Sequence, residues 1–258
     1  MRLLYFVPFA YFARTRLVEG SLAFHALFEW GAALALAALF GVSGTWVSML
    51  FALGAYLAFI SLYEIGYLFN DLIASKKEAA PRLRGPQGAS LMWMGGWVLA
   101  RLGCFAVVTV VLGTSERNDW WMFFGALLVV FALHNFIQDK ESKAATFLWL
   151  AWFRFMAPVI FVIEPSQRMG VAMGAASLYA AFRLFGYLDS KGLLAMPGRQ
   201  RMKFRVTFFL IPLSVAAATW SYPEAEGFRF MVLYFAAVAA AAWGVFKEKN
   251  TPNGRELR

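Results

Sequence analysis

The chain has 258 residues, 61% hydrophobic and only 15% charged, with a mean hydropathy of +0.60. A soluble domain carries far more charge, so the composition excludes an ordinary water-soluble fold and indicates a polytopic membrane protein. The net charge of +9 reads as basic loops against anionic headgroups, with no nucleic-acid partner, and the single cysteine, Cys104, excludes an intrachain disulfide and any Cys-x-x-Cys metal site.

Residues 1–16 hold an apolar stretch, Leu3 to Phe12, broken by Pro8 and bounded by Arg2, Arg14 and Arg16. It is too short to span a bilayer and fits a signal peptide poorly, so it is expected to lie at the interface on the cytoplasmic face. Eight apolar spans follow, at roughly 20–41, 45–69, 89–112, 119–138, 145–163, 169–188, 205–221 and 228–246. The predicted fold is all-α: one polytopic domain over 1–258, a bundle of about eight transmembrane helices, with a cytoplasmic tail at 247–258.

Basic residues set the expected orientation. Eighteen of the 24 Lys and Arg fall at the N-terminus, near 70–88, 139–144 and 189–205, and in the tail. Arg117, Arg168 and Arg229 fall on the opposite side, and Arg101, Arg154 and Arg183 lie within spans. This asymmetry predicts a multi-pass protein of the cell membrane with both termini cytoplasmic.

Ionisable groups inside spans are functional candidates because lipid penalises them. His25 and Glu29, four apart, pair on one helix face, either as a site or as a self-satisfied tie between helices. Arg101 offers a partner to Glu29 or Glu64. In the stretch Tyr63 to Glu78, a continuous helix puts Glu64, Tyr67, Asp71 and Glu78 on one stripe. Asp71 and Glu78 then sit two turns apart, roughly 10 Å along the axis. They either end the span in water or meet a metal, Lys or Arg. His134, Asn135 and Gln138 close the fourth span, with Lys140 and Lys143 just beyond. Arg154 lies in the fifth span, and Arg183, Tyr187, Asp189 and Lys191 close the sixth. Acids facing cations at one end of an apolar bundle suit one task. A divalent metal on the acids neutralises a diphosphate, the cations and tyrosines hold its other oxygens, and the bundle holds a lipid tail. Mg2+ fits, since it keeps water and substrate phosphate in its shell.

The order of these parts resembles the UbiA superfamily of intramembrane prenyltransferases, over nearly the whole chain. That family carries Asn-Asp-x-x-Asp-x-x-x-Asp after the second helix and a second Asp-rich motif after the sixth. Here the first motif reads Asn70-Asp71-Leu72-Ile73-Ala74-Ser75-Lys76-Lys77-Glu78, with Ala74 at the middle acid and Glu78 at the last. Pro81 and Arg82 are similar to the segment that follows it in the family. Asp189 stands for the second motif, without a second acid. Arg154 resembles the arginine of the family's fifth helix, and Lys140 or Lys143 the basic residue of the fourth loop.

The resemblance implies a Mg2+-dependent transferase that releases pyrophosphate. Asp71 and Glu78 would hold the metal, and Asp71, Asp189 and Lys191 would be catalytic. Asn70, Tyr67, Lys77, Arg82, Lys140, Lys143, Arg154, Arg183 and Tyr187 would bind substrate. The implied partners are a polyprenyl lipid and a diphosphate-bearing donor. In the common case a polyprenyl diphosphate gives its prenyl group to an acceptor. A second branch is similar to decaprenyl-phosphate phosphoribosyltransferases, where the lipid phosphate accepts 5-phosphoribose from phosphoribosyl diphosphate. Two other classes are weighed. A non-catalytic lipid-binding relative would keep the bundle and lose acids, and a transporter would need polar groups through the full membrane depth.

Overall fold

Apolar runs punctuated by Gly, Pro and capping residues fold into helices in the order the hydropathy predicts. The computed structural model describes residues 2–18, 21–74, 84–86 and 88–249. After an N-terminal segment come α1 (Leu22–Phe40), α2 (Thr45–Ile73), α3 (Leu91–Val111), α4 (Asn118–Phe136) and α5 (Lys140–Met156). Then follow α6 (Pro165–Ser190), α7 (Met202–Leu210), α8 (Leu213–Ala218) and α9 (Pro223–Trp243). Among the described residues there is no strand, only one isolated antiparallel bridge between Gly41 and Ile163.

Six of these helices, α1 to α4, α6 and α9, are long and apolar enough to cross a membrane. The expected fifth and seventh spans are helical but shorter. The α5 helix gives way to turns after Met156, and Pro212 stands between α7 and α8. Local signals set the starts: Ser90 caps α3 by accepting from Trp93 N at 3.2 Å, and Asp139 caps α5 by accepting from Ser142 N at 2.6 Å.

The loops sort to two ends. At one, Val42 N donates to Val162 O (3.1 Å), Gln167 reaches Pro223 O (3.0 Å), and Asp119 meets Arg117 (2.6 Å) and Arg168 (3.6 Å). At the other lie the N-terminal segment, the ends of α2, α4 and α6, and the start of α5.

Close helix packing relies on small residues, as in membrane bundles generally. A Cβ at Gly66 of α2 would lie 2.1 Å from the Phe131 ring of α4. Gly170 and Gly174 of α6 sit against α9, where a Cβ at 174 would lie 2.6 Å from Met231 Sδ.

The N-terminal segment, expected at the interface, is inserted into this end of the bundle. Tyr11 and Phe12 are fully buried. A 3-10 turn, Arg2–Phe6, leaves carbonyls without partners, and Arg101 of α3 takes them. Its Nη1 donates to Phe6 O at 2.7 Å, and its Nη2 to Tyr5 O at 2.7 Å and Val7 O at 2.9 Å. Its Nε meets Glu64 at 2.7 Å, and the other Glu64 oxygen accepts from Phe12 N at 2.8 Å. Trp97 adds a bond to Tyr5 O at 2.7 Å. Of the two partners open to Arg101, the fold takes Glu64, and the pair is spent on anchoring this segment.

Candidate functional site

A buried charge in an apolar bundle needs a counter-charge and satisfied hydrogen bonds. Two linked clusters meet that need beside the anchored segment.

The first centres on Glu29 of α1, which is fully buried. Its Oε1 accepts from Arg154 Nε of α5 at 2.7 Å and from Tyr56 OH of α2 at 3.2 Å. Its Oε2 accepts from Tyr179 OH of α6 and lies 2.7 Å from His25 Nδ1. Arg154 continues outward: Nη1 donates to Tyr67 OH at 3.1 Å, and the guanidinium sits 4.3 Å over the Phe12 ring. Its Nη2 is buried without a hydrogen-bond partner among the described residues. Arg183 donates to Tyr179 OH at 3.3 Å, and among the described residues no carboxylate pairs with it directly.

The second centres on Asp71, 1% exposed. Arg16 Nη2 donates to Oδ1 at 2.6 Å, and Tyr11 OH to Oδ2 at 3.0 Å. Asn70 Nδ2 lies 3.3 Å from Oδ1. Arg16 also sits 4.4 Å over the face of Tyr67. Tyr67 therefore joins the clusters, with one cation on its ring and another on its hydroxyl. Burial and the adjacent Asp71 push the Tyr11 phenol up, so it stays protonated and donates. Burial disfavours the Arg16 charge, but the Asp71 hydrogen bond and the attraction of Tyr67, Asp71 and Tyr11 together outweigh it, and the guanidinium is held above its ordinary pKa. Gly85, at φ 75°, brings the following loop onto Tyr11, where a Cβ would lie 2.5 Å from the hydroxyl.

The helices that carry these residues share an irregularity. Among the described residues, π-helix forms at Ala13–Leu17, His25–Gly31, Asn70–Ala74 and Ala175–Ala180. These four stretches carry, in turn, Arg16, then His25 and Glu29, then Asn70 and Asp71, then Tyr179. A π turn takes an extra residue, re-aims the side chains around it and is frequent at functional sites.

A groove of about 370 Å³ opens beside the first cluster, lined by Phe9, Trp30, Ala33, Ala52, Tyr56 and Pro158 among others. It is apolar almost throughout, and Tyr56 is shared with the Glu29 cluster.

Of the residues proposed from sequence, Asp71, Asn70, Tyr67, Arg154 and Arg183 come together here. Tyr187, Asp189, Lys191, Lys140 and Lys143 form a rim on α5, α6 and the loop after it. There Tyr187 stacks on Phe147 at 4.3 Å, and Lys191 lies 5.8 Å from the Tyr187 ring. Asp189 is tied to Arg199 at 2.6 Å and to Met196 N at 3.2 Å, away from Asp71. Lys140 is exposed in the first turn of α5, and Lys143 is half-buried one turn further. Glu78, Lys77 and Arg82 lie outside the described residues. Sequence reasoning did not single out Arg16, Tyr11, Tyr56 or Tyr179, and of the two partners it offered Glu29, His25 and Arg101, only His25 is taken.

Among the described residues no three His, Cys, Asp or Glu converge into a metal site. Asp71 offers one carboxylate with oxygen and amide neighbours, and the chain already places a cation on it at 2.6 Å. That is a single ligand among the described residues, with both oxygens already accepting from Arg16 and Tyr11, so a hard cation such as Mg2+ would need most of its shell from water and phosphate oxygens.

Comparison with family models, with curated proteins and with solved structures gives no match. The geometry thus defines a helical membrane protein with a buried, cation-rich cluster at one end of its bundle.

Proposed function

We propose that this chain is an intramembrane transferase acting on a polyprenyl lipid, with a UbiA-like bundle of about eight transmembrane helices. Its basic end faces the cytoplasm of a cell-membrane protein. The observation that carries this reading is the juxtaposition of a buried guanidinium cluster with an apolar groove through the shared Tyr56. A lipid whose head carries phosphate and whose tail is isoprenoid matches both halves at once.

In this reading the reaction is prenyl transfer from a polyprenyl diphosphate to an acceptor, with release of pyrophosphate. Arg154, Arg183 and Tyr67 hold phosphate oxygens, and the groove holds the chain. Asp71 and Glu78 would hold Mg2+, which would supply neutralising charge for the leaving diphosphate, and Asn70 would bind substrate. Lys140, Lys143, Lys191 and Tyr187 line the approach from water.

A second reading has its own support. Asp189 is committed to Arg199, which leaves Asp71 as the one motif acid beside the cluster among the described residues. Few acids and many cations suit a soluble, heavily phosphorylated donor. The chain would then move 5-phosphoribose from phosphoribosyl diphosphate to a polyprenyl phosphate.

Native mass spectrometry of the purified protein separates the readings by its co-bound lipid. Polyprenyl diphosphate supports the first reading and polyprenyl monophosphate the second. Pyrophosphate release with the matching donor then tests catalysis. Lipid binding without turnover of either donor leaves a lipid-binding bundle.

A further inference from the structure

Ala10 N donates to Val7 O at 3.1 Å, so the N-terminal segment turns at Val7 to Ala10, with Pro8 and Phe9 in the centre. Phe9 takes φ 75° and ψ −21°, the place in a type II turn that glycine ordinarily fills. Among the described residues it is the one non-glycine with positive φ. A bulky side chain there is strained, and such strain persists only where the surrounding structure holds it. The hold comes from both sides of the turn. Val7 O also accepts from Arg101 Nη2 at 2.9 Å, and Phe12 N donates to Glu64 at 2.8 Å. Glycine would make the same turn without strain, so the phenylalanine contributes its ring.

That ring lies where the apolar groove meets the Glu29 cluster. Phe9, Trp30 and Tyr56 line the groove, and each touches a member of the cluster or its cover. Phe9 packs 5.2 Å from Phe12, over which Arg154 sits at 4.3 Å. Trp30 lies 5.9 Å from the His25 ring, and Tyr56 donates to Glu29 at 3.2 Å. The Phe9 and Trp30 rings are 5.7 Å apart. A lipid with its head at Arg154 and its tail in the groove passes this aromatic edge. The groove has a volume of about 370 Å³. An apolar cavity of roughly 150 Å³ holds one benzene, so the groove takes about two such groups, the bulk of a few isoprene units of one chain. The surrounding bilayer is made of phosphate-headed lipids with two chains. Their phosphate oxygens suit a guanidinium as well as those of a polyprenyl phosphate do, so the head site alone cannot tell them apart.

We infer that Phe9 is the specificity-determining residue at this junction. Its ring narrows the passage between groove and cluster to a single hydrocarbon chain. Single-chain lipid phosphates are admitted, and two-chain phospholipids are kept from a cluster that would otherwise take their headgroups. The strained turn fixes the ring in the passage, and Arg101 and Glu64 fix the turn. The inference rests on the functional reading above, which places a lipid phosphate in this groove.

The test uses the full chain in phosphatidylcholine nanodiscs that hold equal amounts of polyprenyl monophosphate and dioleoyl phosphatidate. Both probes carry a phosphate monoester, so they differ in their chains. Native mass spectrometry reads the ratio of the two lipids retained by the protein. Wild type should favour polyprenyl phosphate roughly tenfold or more. Phe9→Gly keeps the turn and removes the ring, so the preference should fall below about threefold through a gain in phosphatidate, with the thermal midpoint unchanged. Phe9→Leu keeps bulk in the passage and should hold the wild-type preference within about threefold. An undiminished preference in Phe9→Gly would overturn the inference, as would a wild type that retains both lipids alike. A Phe9→Leu chain that loses the preference as fully as Phe9→Gly would overturn it too, since bulk would then not be what selects. Loss of both lipids together with thermal stability in Phe9→Gly would make the ring a packing residue of the segment and also overturn it. A wild type that retains neither lipid phosphate sinks the functional reading itself.

Discussion

Glu29 and Arg154 lie 125 residues apart in the chain and meet at 2.7 Å, with side chains 1% and 2% exposed. Removing one partner of such a pair leaves a buried charge uncompensated, which costs about 3–5 kcal/mol. Glu29→Ala should lower thermal stability in detergent by that order, since Arg154 loses its buried acid. Combining Glu29→Ala with Arg154→Met should restore part of the loss. A double variant no better than Glu29→Ala alone would show that the two side chains act independently.

Arg183 should behave differently, since among the described residues its hydrogen bond is to Tyr179. Arg183→Gln is expected to change stability by less than about 1 kcal/mol. It should weaken binding of Mg2+-pyrophosphate roughly tenfold or more, the scale of one charge-assisted contact to phosphate. Calorimetric titration and thermal unfolding of the same sample separate the two effects. Lost stability with unchanged binding would make Arg183 a packing residue.

The anchored N-terminal segment predicts a protease result. Arg101 satisfies three carbonyls of the segment, and Arg14 and Arg16 lie within tryptic reach once it loosens. Arg101→Met should therefore make cleavage after Arg14 or Arg16 at least tenfold faster than in wild type. Equal cleavage rates would mean that Glu64, Trp97 and Asp71 hold the segment without Arg101.

Gly66 tests the packing of α2 on α4. Gly66→Ala places a methyl group 2.1 Å from the Phe131 ring. The expected cost is about 1–3 kcal/mol, as for overpacked cores. Phe131→Leu in the same chain should recover part of it. A fully stable Gly66→Ala would mean that the two helices part easily there.

Topology is tested by single cysteines in a Cys104→Ser background. Ser166→Cys and Glu224→Cys should label from outside the cell, and Ser142→Cys only after the inner face is opened. The reverse pattern would invert the orientation and place the cluster near the outer face.

Much of the fold was legible because hydropathy acts over whole segments. Six of the eight expected spans coincide with helices long and apolar enough to cross a membrane, and the loops sort to two ends. The fifth and seventh spans were over-read because composition does not show that α5 stops at Met156 or that Pro212 interrupts a rod. The site was half legible. Asp71 and Asn70 stood out by motif, and Arg154 and Arg183 by their depth. Arg16 looked like ordinary basic flanking charge, because its partner lies 55 residues away. Tyr179 and Tyr56 were hidden among aromatics, and the 3.6-residue period that reads helix faces fails where the backbone turns π-helical.

The anchoring of the N-terminal segment also sets an order for biosynthesis. Tyr5, Phe6 and Val7 leave the ribosome 94 to 96 residues before Arg101, the side chain that binds their carbonyls. At roughly 5–20 residues per second that interval is about 5–20 s. For that time Tyr5, Phe6 and Val7 have no seat. They are placed only after the third helix has been inserted, so this segment closes a bundle that later segments have begun.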